Sequence, residues 1–106
     1  MGFLDPAVSD YLTELAAHQR ADATLDDMES RAREHGFPIV GRAVGVFLEL
    51  IVRSLGAQRV MELGSGYGYS AYWFARAVGA TGHVICTDGD ARNAQLAERY
   101  LTAADL

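Results

Sequence analysis

The chain has 106 residues, half of them apolar and 22% charged, and its 14 acidic and nine basic side chains give a formal net charge of −5. This composition is typical of one small globular domain and excludes a disordered segment. The basic residues are all arginines and form no basic patch along the sequence. Because binding to a phosphate backbone needs clustered positive charge, nucleic acid is not an expected partner.

Neither a membrane span nor a secretion signal is predicted. The longest apolar run, residues 44–52, contains Glu49 and is far shorter than the roughly 20 residues that cross a bilayer. The first residues lack the basic and apolar regions of a signal peptide. Cys86 is the only cysteine, which excludes an internal disulfide, and we expect it to be a small buried strand residue. A cytoplasmic location fits these observations.

Two helices are predicted at the start of the chain. Asp5 and Pro6 are favourable as N-cap and first helical residue, and they open a helix with an apolar stripe. The second helix starts near Thr24, ends at Gly36 and has few apolar residues, so we expect it to lie on the surface. The stripe of the first helix consists of Val8, Tyr11, Leu12, Leu15 and Ala16.

A third helix follows an extended connection. The segment from Phe37 to Val40 is predicted to be extended, because the residue before a proline avoids the helical region. The third helix is predicted from about Gly41 to Leu55, with Gly56 as its stop. Its apolar face consists of Val44, Phe47, Leu48, Ile51 and Leu55.

The second half of the chain changes to a βαβα pattern. Residues 59–63 and 83–87 are short apolar runs typical of buried strands, with a helix over 69–78 between them. A last helix is predicted over 91–104, with Asp90 as its N-cap. A strand, helix and strand of this length predict two parallel strands joined by a right-handed crossover.

Two such strands are few for an α/β domain. Apolar parallel strands are normally covered on both faces and flanked by further strands. The chain also stops after a helix, where another strand is expected. We therefore expect the first half of a larger α/β domain, or a short chain that completes its sheet with a partner.

The chemistry is expected in the loop after the first strand, which reads Glu62-Leu63-Gly64-Ser65-Gly66-Tyr67-Gly68-Tyr69-Ser70. Its glycines allow a sharp exit from the strand and a close approach of the backbone to a ligand. The helix that begins near Tyr69 directs free N–H groups at the loop, where a phosphate or carboxylate is favourable. Asp88 falls at the end of the second strand, where an acid can accept ribose hydroxyls. Two alternatives remain: the loop is only a tight strand–helix turn, and Asp88 is only a turn residue.

The loop departs from the dinucleotide fingerprint G-x-G-x-x-G, because Tyr69 stands where that pattern needs glycine. The pattern Glu62-x-Gly64-x-Gly66-x-Gly68 instead resembles the first motif of class I methyltransferases that use S-adenosylmethionine. With the continuation Tyr69-Ser70 and the upstream residues 37–41, the chain resembles the small O-methyltransferases related to catechol and caffeoyl-CoA O-methyltransferases. The resemblance covers nearly all of the chain.

This resemblance implies an α/β Rossmann-like methyltransferase fold and an enzyme that transfers a methyl group to a hydroxyl of a small molecule. Residues 1–40 would form an N-terminal helical arm that covers the substrate entrance, and residues 41–106 the first half of the cofactor domain. Glu62 would lie beside the methionine amino group, Ser70 would bind its carboxylate, and Asp88 would take the two ribose hydroxyls. The cofactor-binding residues implied are Val40, Glu62, Gly64, Ser65, Gly66, Gly68, Ser70 and Asp88.

Family members that use a divalent metal place its ligands after the fourth strand, so no metal ligand is expected in these residues and no catalytic residue is assigned. The resemblance also implies a homodimer. Two alternatives remain open: an NAD-binding Rossmann oxidoreductase fragment, which Asp88 would suit, and a truncated, non-catalytic domain that associates with itself.

Overall fold

The computed structural model describes residues 5–19 and 22–106, and the described part contains five helices and two strands. Their order confirms a helical arm followed by a βαβα unit. No described helix is both long enough and apolar enough to span a membrane. The elements are α1 (Pro6–Gln19), α2 (Ala23–His35), α3 (Arg42–Leu55), β1 (Arg59–Leu63), α4 (Tyr69–Val78), β2 (His83–Thr87) and α5 (Ala91–Ala103).

The two strands pair in parallel, as predicted. Their register runs from Arg59 opposite His83 to Leu63 opposite Thr87, and α4 makes the crossover between them. Because parallel strands end at the same edge of a sheet, the loop after β1 meets the residues after β2. This edge carries the glycine loop and Asp88.

The prediction that the two strands are buried is wrong for this chain. α4 packs against one face of the sheet. On the other face, Met61, Leu63 and Ile85 remain 64%, 79% and 54% exposed. Cys86 is also exposed, contrary to expectation. The described helices thus cover only one side of the sheet.

The second helix is part of the core, which corrects the prediction of a surface helix. Leu25 and Met28 are fully buried, and Ala32 is nearly so. Spacings of three and four residues put these few apolar side chains on one narrow stripe, which packs on the aromatic residues of the glycine loop and α4. Its N-cap is Asp22 rather than Thr24, since the Asp22 carboxylate accepts hydrogen bonds from two backbone N–H groups of the first turn.

The third helix has the predicted ends but buries a different face. Val44, Phe47 and Ile51 of the apolar face are exposed, as are most residues of the stripe on α1. The buried face instead passes through Gly45, where the indole of Trp73 fits against the α3 backbone. A Cβ added at Gly45 would overlap that indole, so the missing side chain decides which face of α3 meets α4.

The last two helices match the predictions. Trp73 and Tyr72 are buried in the core, and Asp90 caps α5 by accepting the Arg92 N–H at 2.9 Å. Ala97 of α5 is buried, and Leu96, Tyr100 and Leu101 of that helix pack on the core. This packing fixes the loop after β1 from two sides.

Candidate functional site

A cleft of about 220 Å³ lies at the carboxyl edge of the sheet, between the glycine loop and the connection of residues 37–41. Six of the eight predicted site residues line it: Val40, Gly64, Ser65, Gly66, Ser70 and Asp88. Glu62 and Gly68 do not line it. The remaining lining residues are Phe37, Pro38, Ile39, Tyr67 and Tyr69.

Backbone hydrogen bonds lock the loop to the end of β2. The Ser65 N–H donates to the Thr87 carbonyl at 2.7 Å, and the Gly66 N–H donates to Asp88 Oδ2 at 2.9 Å. The floor of the cleft is therefore held by ordered backbone, which favours precise ligand contacts.

Close packing accounts for the presence of glycine at two positions of the loop. Gly66 and Gly68 have φ of +55° and +97°, which L side chains rarely adopt. A Cβ at Gly66 would approach the Phe37 ring to 2.9 Å, and one at Gly68 would lie 3.0 Å from the Ala97 Cβ. Gly68 thus lets α5 pack closely against the loop, a role that differs from the ligand contact expected for it.

Glu62 lies directly behind the lining of the cleft. Its Oε2 accepts a hydrogen bond from the hydroxyl of Ser70, which is itself a lining residue. Its Oε1 is buried and accepts no hydrogen bond from any described residue. A buried carboxylate oxygen without a donor is costly.

The N-terminus of α4 faces the same cleft. The first-turn N–H groups of a helix have no partner within the helix, and Gly68 at the cap supplies no side chain to bind them. Together with the Ser70 hydroxyl and the positive end of the helix dipole, they suit a carboxylate. The cleft thus has groups suited to an anion, with the Glu62 carboxylate directly behind them.

Asp88 stabilises the turn after β2 and also lines the cleft. Its Oδ1 accepts from the Asp90 N–H at 2.8 Å and from Asn93 Nδ2 at 3.2 Å, so the predicted turn role is present. These two bonds and the one from the Gly66 N–H outweigh desolvation and hold the pKa of Asp88 below its ordinary value. Oδ2 accepts one hydrogen bond from the described residues, from the Gly66 N–H, and keeps a lone pair for a hydroxyl group.

The two loop tyrosines line the cleft but direct their hydroxyls to α2. The Tyr67 hydroxyl donates to the Met28 carbonyl at 2.7 Å, and the Tyr69 hydroxyl donates to Glu29 Oε1 at 2.6 Å. Glu29 is also paired with Arg42. Neither Glu29 nor Arg42 was predicted from the sequence, although Arg42 directly follows the connection that lines the cleft.

A second tyrosine–acid contact joins α4 to the start of α2. Burial, followed by the hydrogen bond to Asp22, raises the pKa of Tyr72 to about 12. Burial by itself would raise the pKa of Asp22. The Tyr72 hydroxyl, the N–H groups of Leu25 and Thr24 and the charge of Arg76 outweigh burial and lower that pKa below its ordinary value.

Within residues 5–19 and 22–106, no group of three or more His, Cys, Asp or Glu side chains is arranged to hold a metal ion. The cleft has one carboxylate in its lining, one behind it and a helix N-terminus beside it.

Comparison with known proteins identifies the family. The O-methyltransferase family model matches residues 13–106. A catechol O-methyltransferase from Niastella koreensis is 32% identical over 94% of this chain and 45% of its own length. A methyltransferase structure from Geobacter sulfurreducens matches with 35% identity and a TM-score of 0.89, over 99% of this chain and 54% of its own. An O-methyltransferase structure from Bacillus cereus, in complex with SAH, matches with 28% identity and a TM-score of 0.81, over 94% of this chain and 46% of its own.

The chain thus spans about half the length of the relatives it matches. These structures confirm the Rossmann-like methyltransferase fold, with the two-stranded parallel unit as its N-terminal half. Because the family model extends from α1 through the glycine loop to the last residue, the resemblance seen in the loop is confirmed over nearly the whole sequence. The chain belongs to the O-methyltransferase family.

Proposed function

We propose that the cleft binds S-adenosylmethionine and its product S-adenosylhomocysteine (SAH), and that the chain is the cofactor-binding part of an enzyme that methylates a hydroxyl of a small molecule. The observation that carries the proposal is the buried Oε1 of Glu62, which has no donor among the described residues and lies behind the cleft lining. The SAH complex of the Bacillus cereus relative supports it.

The polar groups of the cleft match those of the cofactor. The ammonium of its methionine part is the cationic donor that Glu62 lacks. The Ser70 hydroxyl and the free N–H groups of α4 suit the neighbouring carboxylate. The ionised Asp88 suits the ribose hydroxyls, since a carboxylate accepts hydrogen bonds from two donors at once.

When bound, the cofactor supplies a methyl group on a positively charged sulfur, which is transferred to an oxygen of the acceptor. The residues of this chain bind and orient it. Gly64, Ser65 and Val40 line the cleft, and the rings of Phe37 and Tyr67, which pack with centroids 4.9 Å apart, form part of its wall. Holding the donor in one orientation is the contribution that such a site makes to the transfer rate.

The predicted lid role of residues 1–40 stays a prediction, as does the boundary at residue 40. Because Leu25 and Met28 anchor α2 in the core, we assign α2 to the fixed support behind the site. The segment that remains to cover an entrance is α1, whose Tyr11 and Leu12 are exposed.

Calorimetric titration of the 106-residue chain tests the proposal, with SAH as ligand and NAD as the competing candidate. We expect one-site binding of SAH only. Asp88→Asn should weaken it about tenfold or more, because it removes a charge-assisted hydrogen bond. Asp90→Asn is the matched control: its carboxylate is paired with Arg92 and does not line the cleft, so SAH affinity should not change. Absence of SAH binding, or preference for NAD, would contradict the proposal.

Association with a second copy, or with a partner that completes the sheet, also stays a prediction. The exposed Met61, Leu63 and Ile85 on one face of the sheet support it. Size-exclusion chromatography with light scattering on the chain tests it, and a monomer over a wide concentration range would contradict it.

A further inference from the structure

We infer that Glu29 is a positioning residue that holds the two walls of the cleft at a fixed separation. One wall is the connection of residues 37–41, and the other is the loop with the first turn of α4. The two walls are far apart in sequence, and Glu29 lies outside the cleft lining. The inference rests on the proposed function, because the width of the cleft matters only if it binds a ligand.

Glu29 is tied to the first wall through Arg42. Arg42 is the first residue of α3, directly after the connection, and it is only 4% exposed. Its Nε donates to Glu29 Oε1 at 2.9 Å and its Nη2 to Glu29 Oε2 at 3.1 Å. A guanidinium bound to both carboxylate oxygens is fixed in orientation as well as in distance.

Glu29 is tied to the second wall through Tyr69. The Tyr69 hydroxyl donates to Glu29 Oε1 at 2.6 Å, so one carboxylate oxygen receives a hydrogen bond from each wall. Tyr69 is the first residue of α4 and precedes Ser70, the hydroxyl assigned to the ligand carboxylate. Burial, and next the hydrogen bond to Glu29, raise the pKa of Tyr69, which keeps the hydroxyl protonated as the donor.

Contacts that do not involve Glu29 keep α2 in place. Leu25 and Met28 are fully buried, and the Tyr67 hydroxyl binds the Met28 carbonyl at 2.7 Å. Loss of the Glu29 link should therefore loosen the walls of the cleft without releasing the helix. If Glu29 served only to hold α2, loss of the Tyr67 contact with α2 should weaken binding as much as loss of Glu29.

The chain offers a matched control on the same arginine. Asp26 Oδ1 accepts from Arg42 Nη2 at 2.7 Å, but its side chain is 69% exposed, and the Tyr69 hydroxyl donates to Glu29 instead. Asp26→Asn weakens the charge pairing of Arg42 and leaves the link between the walls intact. Glu29→Gln keeps the side-chain size and an acceptor for Tyr69, and breaks the paired bond to Arg42.

Two measurements on the 106-residue chain test the inference: the Kd for SAH by calorimetry, and amide hydrogen exchange without ligand. We expect Glu29→Gln and Tyr69→Phe each to raise the Kd about five- to tenfold, and the double variant to raise it no further, because both break one link. Asp26→Asn should stay within about twofold. Exchange at residues 39–41 should be faster in Glu29→Gln than in Asp26→Asn.

The inference is overturned if the unmodified chain binds SAH and Glu29→Gln binds it equally well, if Asp26→Asn weakens binding as much, or if the two single effects add fully. The proposed function stands in each of those cases. If the unmodified chain does not bind SAH, the proposed function fails and the inference with it. If Glu29→Gln does not fold, the Kd for SAH of Tyr69→Phe is compared with that of Tyr67→Phe. Of these two tyrosines, only Tyr69 is hydrogen-bonded to Glu29. An equal rise in Kd for both variants would overturn the inference.

Discussion

Glu62→Gln should separate ligand binding from stability, because the Glu62 carboxylate lies in a site that the ligand-free chain only half satisfies. Ser70 donates to one oxygen, and the other is buried without a donor among the described residues. Glutamine keeps the size of the side chain and an acceptor for Ser70, but removes the charge. The substitution therefore changes what the site offers to a cation and little of its packing.

The expected effects of Glu62→Gln on stability and on SAH affinity have different signs. A buried polar group without a partner costs about 1–3 kcal/mol, and a charged one costs more. Without the charge, we expect the free energy of unfolding of the ligand-free chain to stay unchanged or to rise by up to about 1 kcal/mol. A hydrogen bond to a charged group contributes about 1.5–3 kcal/mol, so its loss should weaken SAH binding about ten- to a hundredfold.

Urea unfolding followed by the fluorescence of Trp73, the single tryptophan, gives the stability, and calorimetry with SAH gives the affinity. Glu49→Gln is the control. Glu49 is buried on α3, is paired with Arg53 and does not line the cleft, so its substitution should lower stability and leave affinity unchanged. Unchanged SAH affinity of Glu62→Gln would refute the reasoning, and so would a loss of stability above about 1 kcal/mol.

Three further predictions test the packing and its pH dependence. Gly45→Ala should lower the free energy of unfolding by about 1–3 kcal/mol despite better helix propensity, because its Cβ overlaps Trp73; an unchanged Tm would contradict this. Leu25→Ala should cost about 2–5 kcal/mol and Leu63→Ala less than about 0.5, measured by urea unfolding; a reversed order would contradict the burial described. The pKa of Asp22 is lower in the folded than in the unfolded chain, so its contribution to stability is present above its ordinary pKa of 3.8 and is lost as the pH falls through the lower, folded value. Asp22→Asn should flatten the acid limb of the stability profile, and an equally steep limb would contradict the assignment.

The ends of the elements could be predicted from the sequence because local residues determine them. Gly36 and Gly56 end α2 and α3 with φ near +60°, a conformation that glycine adopts without strain. Asp90 begins α5 through a hydrogen bond to a residue two positions away. None of these signals depends on contacts between distant segments.

Which faces are buried could not be predicted, because burial depends on what packs against them. The periodicity of α3 marks an apolar face through Phe47 and Ile51, but the α3–α4 contact is set by the fit of Trp73 against Gly45. A glycine within a helix carries no hydropathy signal of this kind. The apolar stripe of α2 was too narrow to stand out among acidic residues, although Leu25 and Met28 are fully buried.

The lining of the cleft was largely predicted, whereas its support was not. Strand ends and a glycine loop bring Ser70 and Asp88 to one edge of the sheet, which the order of elements alone implies. The link through Glu29 joins residues 13 and 40 positions away, and no local pattern marks it. The acidic composition of α2 predicts a surface helix, but Asp26 is exposed whereas Glu29 faces inward.

The loop motif that carries the family resemblance combines two physical requirements. Gly66 and Gly68 are required by close packing on Phe37 and Ala97, and this requirement holds whether or not a ligand is present. No packing requirement of this kind accounts for Glu62, because one of its oxygens is buried without a donor among the described residues. Under the proposed function, a cation bound in the cleft accounts for Glu62, and the Glu62→Gln variant tests this. The acid of the motif, more than its glycines, would then distinguish a cofactor site from a tight turn.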